Sequence, residues 1–191
     1  MSTPRVPTLR ERIVTAAVVM TTDVGWAKVT MARLAEAAGV SRQTVYNEIG
    51  TKDALAEAMI LGELDRFLTV VDGAFERHPG DISAAIEAAA YDVLVLAQDN
   101  ALLKAVVSAT HGADTELLPL LTTHAGTLLA TAKTVIEERV QAFDLDLAPH
   151  RLAPAIDMVV RVVLSHIMQP SGSAEQTAAD LAWMARQVLG G

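Results

Sequence analysis

Apolar residues recur along this chain at the three- and four-residue spacing that is typical of amphipathic helices. No segment shows the alternating pattern of a strand bounded by turn residues. A first helix is predicted over residues 9–24, with Ile13, Ala16, Ala17 and Met20 on its buried side. The pattern therefore indicates an all-α fold from the beginning of the chain.

Two short helices joined by a glycine turn follow the first helix. Thr30 can cap the first of them, and Ser41 can cap the second with its hydroxyl. Gly39 stands between them, where a helix ends easily in a left-handed backbone conformation. Val45 and Ile49 form the inward stripe of the second short helix and leave polar residues outward. This is the pattern of a helix-turn-helix, whose second helix enters the major groove of DNA.

The outward residues carry side chains that suit the grooves and the phosphates of DNA. Arg42 could pair with O6 and N7 of guanine, and Gln43 with N6 and N7 of adenine. Taken singly, each residue is more often a solvated polar side chain than a DNA contact. The combined pattern over residues 30–55 favours DNA. The predicted contacts, which include residues suited to phosphates, are Lys28, Thr30, Arg42, Gln43, Thr44, Tyr46, Asn47 and Lys52.

A family resemblance rests on a set of spaced positions: Gly25-Trp26, Thr30, Leu34-Ala35, Ala38-Gly39-Val40-Ser41, Thr44, Tyr46, Lys52 and Leu55. With these marks, residues 9–64 resemble the DNA-binding domain of the TetR family of bacterial transcriptional regulators. Ile49 departs from the family pattern, which usually places phenylalanine there, but the position stays apolar. The resemblance implies a homodimeric regulator, usually a repressor, that binds a palindromic operator and is released by a small effector.

The rest of the chain also reads as helix. A long helix is predicted over residues 52–77, and His78-Pro79-Gly80-Asp81 breaks the pattern, with Asp81 able to cap the next helix. Together with the resemblance, this predicts a three-helix DNA-binding head and a larger helical domain for ligand binding and dimerisation, with about nine helices in all. The predicted divisions are a flexible arm over 1–8, the head over 9–55 and the helical domain over 56–191. The later helices are predicted at residues 82–99, 100–109, 119–143, 149–168 and 173–189.

The last two predicted helices carry more apolar surface than one buried stripe requires. The resemblance implies that they form the dimer interface. Burial inside the same chain is the alternative at each position. The predicted interface residues are Ile156, Val159, Val160, Val163, Ile167, Trp183, Met184 and Val188.

The resemblance also implies an effector pocket among the middle helices. Their residues suggest a largely apolar small molecule with one or two polar groups. Ordinary core packing is the alternative for most of them. The candidates are Phe67, Tyr91, Leu94, Leu103, Val106, His111, Leu121, His124 and Leu128.

The formal net charge of −8 is unevenly distributed along the chain. Residues 1–55 contain seven Lys or Arg and five Asp or Glu, so their net charge is +2, whereas residues 56–191 carry −10. Binding to a polyanion requires local positive charge, and repulsion elsewhere helps to orient the protein on DNA. The asymmetry gives modest support to a DNA-binding head, because +2 over 55 residues is also ordinary.

Several other functions are disfavoured by what the sequence lacks. It has no cysteine, which excludes disulfides and thiolate metal sites, and its five histidines show no metal-ligand spacing. No phosphate-binding glycine loop is present, so we predict neither enzymatic activity nor a cofactor or metal. The N-terminus does not resemble a signal peptide and no apolar run suggests a membrane span, which favours the cytoplasm. A helical carrier or adaptor that has lost DNA binding remains the alternative function.

Overall fold

The computed structural model of the chain describes residues 6–104, 118–145 and 147–189, without the side chains of 118–125, 127 and 149. Within these ranges the chain is helical and contains no strand, so the all-α prediction is confirmed. A short 3-10 helix spans Trp26–Lys28, and residues 101–104 are also helical. The α-helices are α1 (Leu9–Val24), α2 (Met31–Ala38), α3 (Arg42–Ile49), α4 (Lys52–Arg77), α5 (Ile82–Asp99), α6 (Leu118–Val140), α7 (Pro149–Met168) and α8 (Ala174–Leu189).

Local capping bonds fix where several helices begin. Thr8 and Glu11 form a capping box at the start of α1, in which each side chain accepts a hydrogen bond from the other residue's backbone amide. The side chains of Thr30 and Asp81 accept from backbone amides in the first turns of α2 and α5. The predicted capping roles of Thr30 and Asp81 are therefore confirmed.

The chain divides into two compact units that do not follow its linear order. The first unit lies within Met1–Glu63 and Ala101–Ala125, and the second within Leu64–Asn100 and Gly126–Gly191. The predicted domain boundary after residue 55 and the observed division both fall inside α4, because this helix runs from one unit into the other.

The core of the first unit joins α1, α2, α3 and the first turns of α4. Ile13, Leu34, Val45 and Leu55, one from each of these helices, are completely buried. Leu102 packs into the same core from the second part of the unit. Burial of apolar surface therefore holds the two short helices against α1, at roughly 25 cal/mol for each Å² removed from water.

The core of the second unit is built from the later part of α4 together with α5, α6 and α7. The ring of Phe75 meets the ring of Phe143 edge to face, with centroids 5.9 Å apart. Helix α5 packs along α8, where the small side chains of Ala90 and Ala178 lie in one buried cluster and allow close approach. Among the helices in the described ranges, none has both the length and the apolar character to cross a membrane.

Ion pairs connect neighbouring helices at the surface of the second unit. Nε of Arg139 on α6 lies 2.7 Å from Oδ1 of Asp72 on α4. Asp157 on α7 accepts from Arg161 one turn later, at 2.7 Å, and from Lys133 on α6, at 2.9 Å. These hydrogen bonds, that of Arg161 first, hold the pKa of Asp157 below its ordinary value. The carboxylate of Asp157 therefore stays ionised between two cations.

Candidate nucleic-acid interface

The turn between α2 and α3 depends on the backbone conformation of Gly39. This residue has φ of 68° and ψ of 36°, in the left-handed region, and ends α2 as predicted. A Cβ built on Gly39 would meet nothing within 4 Å, so conformation rather than space favours glycine here. The hydroxyl of Ser41 then accepts from the amide of Thr44 at 3.0 Å and caps α3. The predicted helix-turn-helix is therefore formed.

Helix α3 has one buried face and one face open to solvent. Val45 is fully buried and Ile49 nearly so, which confirms the prediction that they face inward. Arg42, Gln43 and Asn47 are exposed on the helix surface. The eight-residue helix therefore presents a polar surface while its apolar stripe holds it to the core.

The exposed side chains of α3 are ordered in two pairs, each one helical turn apart. Nη2 of Arg42 donates to the hydroxyl of Tyr46 at 3.2 Å, and the guanidinium lies 5.5 Å from the centre of the Tyr46 ring. Nε2 of Gln43 donates to Oδ1 of Asn47 at 2.9 Å. Side chains held in this way lose less rotamer freedom when they contact a partner.

The other predicted DNA contacts lie in or near α3 in the sequence and belong to the same compact unit. Lys28 and Thr30 are exposed at the end of the 3-10 helix and the start of α2. Thr44 is half-buried, and its hydroxyl lies 2.8 Å from that of Ser41, so it takes part in the cap. Lys52 is half-buried at the first residue of α4. The eight predicted residues thus lie on the 3-10 helix, at the N-cap of α2, on α3 and at the start of α4.

Two arginines of α1 join this constellation although the sequence did not single them out. Nη2 of Arg12 donates to the carbonyl oxygen of Ala38 at 2.9 Å. Nη1 of Arg10 donates to the carbonyl oxygen of Glu48. The acceptors lie at the ends of α2 and α3, far away in sequence, so no local pattern could have revealed these bonds.

The predicted effector-pocket residues are distributed over both compact units. Leu103 lies in the first unit, whereas the other candidates with described side chains lie in the second. Val106 and His111 lie outside the described residues, as do the side chains of Leu121 and His124. In the second unit Leu94 is buried, Tyr91 is exposed, and Phe67 and Leu128 are half-buried.

The predicted interface residues on α7 and α8 differ in their exposure. Ile156 and Val160 are buried in the core of the second unit, so packing inside one chain accounts for both. Trp183, Met184 and Val188 on α8 are exposed, with Trp183 58% accessible. The remaining predicted positions on α7, half-buried in the chain, are Val159, Val163 and Ile167.

The capped turn and the polar surface of α3 define a helix-turn-helix DNA-binding protein. Residues 13–59 match the family model described as bacterial regulatory proteins, tetR family. Residues 81–187 match the model of the bacterial tetracyclin repressor, C-terminal domain. The chain belongs to the TetR family and is a DNA-binding transcriptional regulator.

Two regulators named AlkX are similar to the chain over most of its length. It is 28% identical over 158 residues to the HTH-type transcriptional regulator AlkX of Mycobacterium tuberculosis, covering 82% of this chain and 74% of the relative. A crystal structure of the TetR family repressor AlkX from Dietzia sp., which is implicated in biodegradation of n-alkanes, is also similar. Its chain is 27% identical to this one, the match covers 96% of each chain, and the TM-score is 0.75. A transcriptional regulator from Rhodococcus sp., at 21% identity, TM-score 0.62 and coverage of 94% and 97%, shares the fold.

Proposed function

We propose that this TetR-family protein is a cytoplasmic repressor that binds a palindromic operator as a homodimer and is released by a small, largely apolar effector. The observation that carries the DNA-binding part is the surface of α3. Its exposed pairs Arg42 with Tyr46 and Gln43 with Asn47 stand over an inward stripe that fixes the helix to the core. Arginine and glutamine at such positions read guanine and adenine in the major groove.

The short length of α3 supports DNA binding by a two-fold symmetric dimer. An α-helix of eight residues is only about 12 Å long, so one head contacts few base pairs. Two heads related by a two-fold axis would read two half-sites about one DNA turn apart, which multiplies the sequence information.

The exposed apolar residues of α8 support a homodimer. Trp183 and Val188 are each more than half exposed, and Met184 is 42% exposed. On α7, Met158 and Leu164 are also exposed. Apolar patches of this kind on a soluble domain mark interaction surfaces, and a two-fold interface would bury them against a second copy.

The AlkX resemblance suggests the chemical class of the effector. The structure of the Dietzia relative is associated with biodegradation of n-alkanes, and this chain is similar to it over nearly its whole length. The candidates Phe67, Leu94 and Leu128 are apolar, which suits an alkyl chain. An effector that binds better to the DNA-incompetent state weakens operator binding. The operator weakens effector binding by the same coupling free energy.

Selection from random-sequence duplexes tests DNA binding. The purified chain is incubated with the library at low salt, and bound duplexes are sequenced over several rounds. We expect enrichment of a palindrome with half-sites about one turn apart. Failure to enrich any duplex would contradict the regulator and favour a carrier or adaptor. The affinity for the enriched duplex should also fall steeply as salt rises.

Sedimentation tests the homodimer separately. We expect a dimer at micromolar concentration, and a shift to monomer in Trp183→Glu, which places a charge on the exposed apolar surface. Leu61→Glu is the matched control, because Leu61 is an exposed leucine of the other unit and should leave the dimer intact. A wild-type monomer with and without the enriched duplex would refute dimerisation.

A homologous series of alkyl compounds tests the effector. The n-alkanes and the corresponding primary alcohols and fatty acids are added to the complex with the enriched duplex, and native mass spectrometry records what binds. We expect release of DNA that grows with chain length, since each buried methylene contributes about 0.8 kcal/mol. No binding by any member of the series would overturn the alkyl class.

A further inference from the structure

We propose that Arg10 and Arg12 are positioning residues that hold the DNA-reading helix α3 at a fixed orientation on α1. This inference rests on the proposed function, because it concerns how that same surface is presented to DNA. Neither side chain needs to touch DNA in this role. Each acts through a hydrogen bond to the backbone at the end of a helix-turn-helix helix.

The acceptors of these bonds are carbonyls that a helix cannot satisfy by itself. The last four carbonyls of any α-helix have no intrahelical amide partner. Ala38 is the last residue of α2, and Glu48 is the last but one of α3. The guanidinium of Arg12 lies 2.9 Å from the first of these oxygens, and the guanidinium of Arg10 bonds to the second. Both positive groups also face the negative end of a helix dipole.

Besides stabilising the helix ends, the two bonds connect segments that are far apart in the sequence. Arg12 and Ala38 are 26 residues apart, and Arg10 and Glu48 are 38 residues apart. Both arginines belong to the first turn of α1, so one short stretch of helix holds the ends of α2 and α3 together. Moving either end relative to α1 would break the corresponding bond.

The apolar stripe of α3 does not by itself fix the orientation of this helix. Val45 and Ile49 hold α3 to the core by burial, which is proportional to area and has little directional preference. A hydrogen bond, in contrast, weakens steeply with misalignment. The bond from Arg10 to Glu48 therefore restrains rotation and tilt of α3, on which the aim of Arg42 and Gln43 depends.

A direct phosphate contact by the same arginines is the competing explanation, and salt dependence separates the two. Loss of a phosphate contact lowers the slope of log affinity against log salt by about one and weakens binding to every sequence. Loss of a positioning bond leaves the salt slope unchanged. It weakens only binding to specific sequences, which requires the correct orientation of α3.

Arg10→Met and Arg12→Met are the test variants, because methionine keeps an unbranched apolar stem and lacks a donor. Arg33→Met is the matched control: Nη1 of Arg33 donates to the carbonyl of Lys28 only five residues away, so its loss leaves α1 and α3 connected. Circular dichroism first establishes that each variant is folded. If Arg12→Met unfolds the first unit, Arg10→Met alone tests the proposal. The bond of Arg10 is exposed, so we expect this variant to stay folded.

The first readout is amide hydrogen exchange of the free protein. We expect the α3 amides to exchange about three- to tenfold faster in Arg10→Met and Arg12→Met, because this is the range for losing an exposed charge-assisted hydrogen bond. Their exchange rates should be unchanged in Arg33→Met. Unchanged exchange of α3 in both test variants would overturn the proposal. This arm involves no DNA, so it decides the positioning role even if the wild-type chain enriches no duplex.

The second readout is affinity for the duplex that the wild-type chain enriches and for a scrambled duplex, each at several salt concentrations. We expect the test variants to lose about three- to tenfold on the enriched duplex, with the scrambled duplex and the salt slope unchanged. Equal losses on both duplexes with a slope lower by about one would assign the arginines to phosphates and refute the positioning role.

Discussion

The ammonium nitrogen of Lys52 lies 4.8 Å from the centre of the Trp26 ring, and that ring is almost completely buried. Lys52 is the first residue of α4, where the positive end of the helix dipole disfavours a cation. Attraction to the face of the indole offsets this penalty. The contact holds the ammonium group of Lys52 at the start of α4, shortly after the end of α3, where we propose a phosphate contact.

Replacing Lys52 with glutamine should weaken DNA binding across sequences. Loss of one phosphate contact lowers the salt slope by about one and leaves the ranking of sequences unchanged. Fluorescence anisotropy with the enriched and scrambled duplexes at several salt concentrations measures both quantities. Lys104→Gln is the control, an exposed lysine on another segment of the same unit. A loss confined to the enriched duplex would contradict the phosphate role.

Arg42→Ala should relax base preference at particular positions of the half-site. A bidentate contact to guanine contributes about 1–3 kcal/mol of discrimination against the wrong base. Repeating the duplex selection with the variant shows which positions lose preference. Gln43→Ala should relax a different position by a similar amount. If Arg42→Ala left both affinity and preference unchanged, the assignment of Arg42 to a base would be wrong.

Gly39→Ala should destabilise the first unit by about 1–2 kcal/mol, the cost of an L residue in the left-handed region. Space is not the cause, since a Cβ there meets no atom within 4 Å. Gly62→Ala is the opposite control, because Gly62 lies inside α4, also with free space, and alanine should stabilise a helix by about 0.5–1 kcal/mol. Urea denaturation measures both. Equal effects of the two substitutions would refute the conformational explanation.

Leu34→Ala should cost about 2–5 kcal/mol of the free energy of unfolding, because Leu34 is completely buried between the helices of the first unit. Leu61→Ala makes the same chemical change at a leucine that is 46% exposed, and should cost much less. Chemical denaturation of both variants tests the contrast. Similar losses at the two positions would contradict the described core.

Asp157→Asn should reduce stability at neutral pH and matter less in acid. Arg161 and Lys133 hold the pKa of Asp157 below its ordinary value in the folded chain. A carboxylate with a depressed folded pKa stabilises above its unfolded pKa, and that contribution is lost as pH falls through the folded pKa. The difference in Tm between wild type and variant should therefore shrink from neutral pH to about pH 3.

Asp65→Asn is the control for this pH dependence, at an exposed position of α4. Its Tm should follow that of the wild type throughout the range. A difference between wild type and Asp157→Asn that stayed constant over the whole range would contradict the ion-pair explanation.

The predictions from sequence succeeded where a feature depends on a few neighbouring residues. The caps at Thr30 and Ser41 and the left-handed Gly39 follow from local backbone chemistry, and all three are observed. The inward positions Val45 and Ile49 follow from helical periodicity alone. Thr21 is an exception, because a hydropathy pattern does not place a polar residue in the core. Its burial is possible because its hydroxyl donates to the carbonyl of Ala17.

The features missed by the sequence depend on elements far apart in the chain. The bonds of Arg10 and Arg12 exist only because the start of α1 meets the ends of α2 and α3. The sequence also grouped apolar residues of α7 and α8 without deciding which partner covers them. Packing buries Ile156 and Val160 in their own chain and leaves Trp183 exposed.

The sequence by itself determined the helices, the capped turn and the polar surface of α3, since each is set by residues within a few turns of one another. The tertiary structure decided which arginines hold the recognition helix and which apolar residues stay accessible. Periodicity identifies an apolar face but not the neighbour that covers it, because that choice depends on how distant helices pack.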